Sequence, residues 1–319
     1  MLLRPEVSQT VARAVLVTGA ARSGTTLMGQ LLHTLVGVEY LYEPPLLFAL
    51  LPLLKKRATR RSWWRSLWET YLFEDFLMDA VAGRRLNFNY HDDSSVRRVK
   101  SPEEIEGRLN SQHRRPDLFS QALGHRIVFK MPDVLPWLPL LHRVYPDMKV
   151  VVMWREPKAL IASLLAKGWY RPGVEGSLTF QGPWGQLGPD IPFWMPRDLY
   201  SQYLRAGELE RLYLYYLQMY EGLEKLPWAR VVDYDRLVAE PEPQLDRICR
   251  YIGERQRTPQ TEEVLQTVRQ IDAAPPAHLY LPPQEQLSRV RQVIETALAL
   301  AEMGEEYKPR RPHRRVRDG

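Results

Sequence analysis

Val15-Leu16-Val17-Thr18 is a short run of β-prone residues, broken by Gly19-Ala20-Ala21-Arg22-Ser23-Gly24 and followed by Leu27, Leu31 and Leu35 at helical spacing. The segment predicts a strand, a loop and a helix. A second β-prone piece, 36–42, stops at Glu43-Pro44-Pro45, where the prolines end the strand and hold Glu43 out of helical geometry. Strand signals return at 126–130 and in the continuous apolar run 149–154, with an apolar helix around 135–144 between them. Unalternating runs suit strands covered on both faces. Arg155-Glu156-Pro157 opens a helix that carries Leu160, Ser163 and Leu164. Further on, Leu209, Leu212, Tyr213, Tyr216, Leu217 and Tyr220 mark one helix face. A strand at 229–234 leads to a helix with Leu245, Ile248, Cys249 and Ile252 inward and Gly253 at its carboxyl end. A last helix is expected over about 285–303. Repeated β-then-α units imply an α/β fold, a parallel sheet with helices on both faces in three layers.

Two stretches fall outside this rhythm. Residues 46–123 look helical and irregular and contain the aromatic-rich segment 63–73, so they predict a helical insertion. Residues 168–196 are rich in Gly, Pro and aromatics, including Trp169, Tyr170, Trp184 and Trp194, and predict a long loop. The first aromatic group reads as core of the insertion; for the second, core packing and acceptor contact stand level. The expected organisation is one domain over 1–307 with a basic, mobile tail at 308–319.

The 319 residues are 45% hydrophobic and 26% charged, which excludes a mostly disordered or fibrous chain. The formal charge of +6 changes its meaning once located: six Lys/Arg and one Asp lie in 308–319, so the tail holds +5 and the body is nearly neutral. No nucleic-acid partner is expected. The single cysteine, Cys249, excludes an intrachain disulfide and suits a reducing compartment. Arg4, Glu6 and Arg13 interrupt any apolar signal region, and no window reaches the roughly 20 apolar residues of a membrane span. The expected location is cytoplasmic, with peripheral membrane contact left open.

Gly19 to Thr26 reads G-A-A-R-S-G-T-T between a strand and a helix, an arrangement that aims backbone N–H groups and a helix amino terminus at an anion. Its spacing approaches the nucleoside-triphosphatase pattern G-x-x-x-x-G-K-[ST]. However, Thr25 occupies the lysine position and the basic residue is Arg22. A tight turn with packing glycines is the bland reading; Arg22, Thr25 and Thr26 together favour phosphate-like chemistry. Arg155 lies at a strand's carboxyl end beside a helix start, where open α/β sheets present ligands and where a guanidinium can grip a phosphate. Taken alone, Arg155 reads as a salt-bridge partner and Ser163 as a helix-surface hydroxyl; with the loop, they read as a second anion site.

Residues 15–27, Leu41-Tyr42-Glu43-Pro44, 151–163 and 231–253, in that order and spacing, resemble the sulfotransferases that use 3′-phosphoadenosine 5′-phosphosulfate. The resemblance implies a P-loop NTPase-like fold and that donor as cofactor. It places the 5′-phosphosulfate on Arg22, Ser23, Gly24, Thr25 and Thr26, and the 3′-phosphate on Arg155 and Ser163. Tyr234-Asp235-Arg236-Leu237 with Pro241-Glu242 matches the family's late segment, except that Arg236 replaces the usual acid. The insertion and the long loop lie outside the resemblance.

Sulfuryl transfer to an alcohol needs a base for the hydroxyl, donors for the sulfonate oxygens and help for the departing phosphate. The resemblance to the carbohydrate-modifying branch assigns the base to Glu43, close to the first loop if the two strands are neighbours. The alternative for Glu43 is a solvated carboxylate beside a turn, with Glu39 as the second choice of base. The histidine that the small-molecule branch uses after the third strand is absent from Lys130-Met131-Pro132. Lys130 remains and, with Arg22, is assigned to the sulfonate and bridging oxygens, a strand-end surface charge being its other reading. The seven histidines are scattered without ligand spacing, so no metal is expected. The expectation is sulfuryl transfer to a carbohydrate or lipid-linked hydroxyl; a phosphotransferase using the same loop and a non-catalytic nucleotide-binding protein are the competing readings.

Overall fold

The apolar runs pair side by side in a computed structural model that describes residues 3–173, 191–192, 194–271 and 285–302. Strands β1 (Val15–Gly19), β2 (Val38–Tyr42), β3 (Arg126–Lys130), β4 (Lys149–Trp154) and β5 (Arg230–Asp233) form one parallel sheet in the order β2-β3-β1-β4-β5. Side chains alternate across it. Val15, Val17, Val128, Val151 and Val232 meet Met28, Leu31 and Leu32 of helix Thr25–His33 and Ile248 of helix Pro241–Ile252 on one face. Leu16, Phe129, Val150 and Val152 meet the insertion and helix Glu208–Tyr220 on the other. Two covered faces explain why these strands lack polar alternation.

Two boundaries differ from the sequence reading. The second strand begins at Val38 rather than 36, because Gly37 turns with φ 67° and leaves Val36 exposed. The last strand stops at Asp233, whose carboxylate accepts the Asp235 amide at 2.9 Å, so that Tyr234 starts a helix instead of ending a strand.

The insertion is helical as expected, with helices Pro45–Lys55, Arg61–Thr70, Pro102–Asn110 and Arg115–Leu123 and a π-helical stretch at Tyr71–Met78. Its aromatics split by face. Trp64 and Trp68 are fully buried against Tyr145 and Phe129, whereas Trp63 is 54% exposed. In the second aromatic region Trp194 is buried among Tyr170, Tyr203 and Tyr215, which is core packing; Trp169 stays exposed, and Trp184 lies outside the described residues, as does the tail. Among the described residues no helix is long and apolar enough to cross a membrane.

The insertion is joined to the sheet by charge as well as by packing. Glu39 on β2 is 1% exposed and accepts two hydrogen bonds from Arg108, at 2.7 and 3.0 Å, with His125 Nδ1 at 3.0 Å. Burial opposes its ionisation, but hydrogen bonds from His125, His33 and Arg108 outweigh burial and hold the carboxyl well below its ordinary value of 4.5. The stabilisation is therefore complete above pH 4.5 and is lost as the pH falls below it. Replacing Glu39 by Gln leaves Arg108 with Glu104 as its remaining counter-charge and should cost about 2 kcal/mol. Urea denaturation at pH 7 and pH 4 reads this, with the difference from wild type shrinking at the lower pH.

Candidate active site

β1 is the centre of the sheet, flanked by β3 and β4; the chain leaves β1 towards β2 on one side and leaves its neighbour β4 towards β5 on the other. A crevice opens at the carboxyl ends of strands at such a point. The loop after β1 fills its floor. Gly19 (φ 147°) lets the backbone pass Met153, since a Cβ there would lie 2.3 Å from the Met153 carbonyl oxygen. Gly24 (φ 91°) packs under Tyr234, whose ring a Cβ would meet at 2.3 Å. The adjoining helix starts at Thr25 without a side-chain cap, and its first internal bond is from the Met28 amide to Gly24. The preceding amides of that first turn are thus available to an anion. Ser23 is buried and its hydroxyl donates to the Ala20 carbonyl at 2.6 Å, so this side chain closes the loop on itself.

The two basic segments meet. Arg22 Nε donates to Ser163 Oγ at 3.1 Å, and Arg155 Nη1 donates to the Arg22 carbonyl at 3.3 Å. The Arg155 guanidinium lies over the Tyr234 ring at 4.5 Å, and its Nε is buried with no hydrogen-bond partner. A partnerless donor beside a second arginine suits an oxyanion.

Glu43 joins the same crevice by a different route from the one expected. Its strand is not adjacent to β1, because β3 runs between them. The intervening strand supplies the link: the Glu43 amide donates to the Lys130 carbonyl at 3.0 Å, and Lys130 Nζ contacts Glu43 Oε1 at 2.6 Å and donates to Thr26 Oγ1 at 2.9 Å. The ammonium also sits 3.9 Å from the centre of the Tyr42 ring. The Lys130 side chain is 4% exposed and Glu43 38%, so the cation is enclosed and the carboxylate open to an incoming molecule. Glu39, the second choice of base, is sequestered by Arg108 and His125 and has no access to the crevice.

Three residues of the site escaped the sequence reading. Asp133, just past Lys130, accepts the Ala21 amide at 3.1 Å and a very short hydrogen bond from the Tyr215 hydroxyl. The Tyr215 oxygen also contacts the Ala21 amide, and the Tyr220 hydroxyl accepts the Ala20 amide at 3.1 Å while donating to the Met153 carbonyl at 2.9 Å. Tyr215 and Tyr220 are buried core residues, as their helical spacing suggests, yet their hydroxyls hold the loop. Burial pushes the Asp133 carboxyl from 3.8 up to about 6, against the pull of the Tyr215 and Ala21 hydrogen bonds. Arg22, Glu43 and Asp133 also share a left-handed backbone (φ 69°, 43° and 65°), a strain of about 1–3 kcal/mol each that persists where the surroundings over-determine it.

A cavity of about 1150 Å³ opens at the opposite end of the sheet beside Lys149, Arg230 and Trp228, away from all of these groups. Among the described residues, these groups converge at the carboxyl ends of the strands.

A family model described as the sulfotransferase family matches residues 14–184, more than half of the chain. No curated protein matches the sequence. Among solved structures, the chain is similar to the sulfotransferase domain of the Synechococcus PCC 7002 olefin synthase, with 17% identity, 89% of this chain and 93% of that one covered, and a TM-score of 0.42. It is also similar to sulfotransferase STF1 from Mycobacterium tuberculosis H37Rv, with 18% identity, 92% and 79% covered, and a TM-score of 0.39. Those structural scores are low, and it is the match over residues 14–184, bracketing the loop, Glu43, Lys130, Arg155 and Ser163, by which the chain belongs to the sulfotransferase family.

Proposed function

We propose that this protein transfers a sulfuryl group from 3′-phosphoadenosine 5′-phosphosulfate to a hydroxyl of a carbohydrate or lipid-linked acceptor, with Glu43 as general base. One observation carries the reading: a single chain of contacts, from Glu43 through Lys130 to Thr26, joins a carboxylate, an enclosed cation and the uncapped start of a helix. The donor supplies an activated sulfuryl group attached to a good leaving phosphate. The residues present suit it. In this reading the amides at Thr25 and Thr26 with Arg22 form one anion site, and Arg155 with Ser163, which Arg22 contacts, forms a second, where Arg155 Nε is buried without a hydrogen-bond partner.

In this reading, Glu43 accepts the acceptor's hydroxyl proton, a role that its open carboxylate permits. Lys130 and Arg22 balance negative charge that grows on the sulfonate and bridging oxygens; as fixed cations in a half-enclosed crevice, they need no reorganisation. The acceptor class rests on the Leu41-Tyr42-Glu43-Pro44 context and on Tyr42, whose partly exposed ring lies next to the base and suits a sugar face or an acyl chain.

Replacing Glu43 by Gln should lower kcat by about 10²- to 10⁴-fold while adenosine 3′,5′-bisphosphate binds within a few-fold of wild type. Full turnover in Glu43→Gln would show that the base lies elsewhere. Replacing Arg155 by Ala should weaken adenosine 3′,5′-bisphosphate binding about 10- to 100-fold, the value of a charge-assisted hydrogen bond, as read by calorimetry with a chelator present. Tighter binding of ATP with Mg²⁺ than of the bisphosphate without metal would favour a phosphotransferase instead.

A further inference from the structure

Asp133 presents a charge problem. Its carboxylate touches the backbone of a loop that, as a donor site, exists to bind an anion. The contacts themselves do not require the charge: the amide oxygen of asparagine would accept the same bonds from the Ala21 amide and the Tyr215 hydroxyl. The surroundings are well defined. The Asp133 amide donates to the Gly19 carbonyl at 3.0 Å, fixing the residue to the end of β1. Lys130 and Glu43 face it from the ends of β3 and β2, Tyr215 and Tyr220 from helix Glu208–Tyr220, and Tyr170 from the chain after helix Pro157–Leu165. Of these, Tyr215 stabilises the carboxylate through its hydrogen bond, and Lys130 is the one cation that offsets its charge.

Lys130 is also bonded to Thr26 and Glu43, and so lies next to the site where an anion would be held. A phosphate group placed there claims the field of Lys130 and adds negative charge of its own. Asp133 would then be a poorly compensated carboxylate in a desolvated position, and such a group regains balance by taking a proton from solvent.

We propose that Asp133 is a positioning residue that, with Tyr215, fixes Ala21 at the start of the donor loop and takes up a proton when a nucleotide phosphate occupies that loop. The proposal rests on the donor reading of the loop. It makes the loop a proton-coupled anion site: the hydrogen bonds to Ala21 and Tyr215 can persist on one carboxyl oxygen while the charge is removed, so geometry is kept and repulsion is not. Burial already brings the carboxyl up to about 6, within reach of a nearby anion's influence at neutral pH. Proton uptake makes nucleotide affinity rise as the pH falls from 8 towards 6, and the proton returns to solvent when the nucleotide leaves.

Calorimetry of adenosine 3′,5′-bisphosphate binding to the full chain at pH 7, in buffers of different ionisation enthalpy, counts the protons. Wild type should take up about half a proton per site more than Asp133→Asn, and its affinity should depend more steeply on pH. Asp133→Ala, which cannot hold Ala21, should bind the nucleotide about tenfold more weakly than Asp133→Asn. Carboxyl-carbon NMR of aspartate-labelled wild type gives the same information without any variant: one titration midpoint near 6 should move above 7 in the nucleotide complex. Equal proton counts and equal pH slopes for wild type and Asp133→Asn, or an unmoved midpoint, overturn the proposal. If the bisphosphate fails to bind wild type at all, it is the donor reading that falls.

Discussion

The enclosed ammonium of Lys130 is the hinge of this site. A buried cation needs partners, and here it has three of different kinds: the Glu43 carboxylate, the Thr26 hydroxyl and the face of Tyr42. They come from two separate stretches of backbone, the end of β2 and the helix after β1, and both are brought within reach by the order of the strands. β3 separates β2 from β1, so its last residue is the one able to touch the segments leaving both neighbours. Without that strand order, the carboxylate and the loop would be two unrelated features on one edge of a sheet.

Strain and rigidity go together around this cation. Three residues just past the ends of β1, β2 and β3 adopt left-handed backbone although none is glycine. Tolerating that conformation requires the surroundings to fix it, and the fixing contacts are visible: Arg155 on the Arg22 carbonyl, the Lys130 carbonyl on the Glu43 amide, and the Gly19 carbonyl on the Asp133 amide. The amides of Ala20 and Ala21 are satisfied by tyrosine hydroxyls from a packed helix, which fixes the loop's entry. Preorganisation of this kind lowers the cost of holding a multiply charged molecule.

The features legible in the sequence were local. The glycine-framed loop is recognisable because backbone geometry over a few residues dictates its types, whereas Arg155 and Ser163 stand out only beside that loop and through the family resemblance. The unalternating strands and the helical insertion were readable for the same reason. Asp133, Tyr215 and Tyr220 were not, since a tyrosine at helical spacing fills a core whether or not its hydroxyl has work to do, and nothing in the surrounding residues says where that oxygen ends up. The separation of β2 from β1 was equally hidden, because strand order is decided by crossovers that leave no mark in periodicity. Glu39 and Glu43 stand four residues apart, and the positions of Arg108 and His125, some 70 and 86 residues further on, give one of them a structural fate.

The tyrosines that hold the loop lie nearly two hundred residues after it, beyond the stretch 14–184 that carries the family match. A chain emerging from the ribosome exposes its glycine-rich turn early and must wait for most of its length to be made before those hydroxyls arrive. Until then, Asp133 and the loop's own Ser23 hold the turn without them, and a product ending after residue 184 would carry the whole matched stretch while lacking the tyrosine clamp that gives it a working shape.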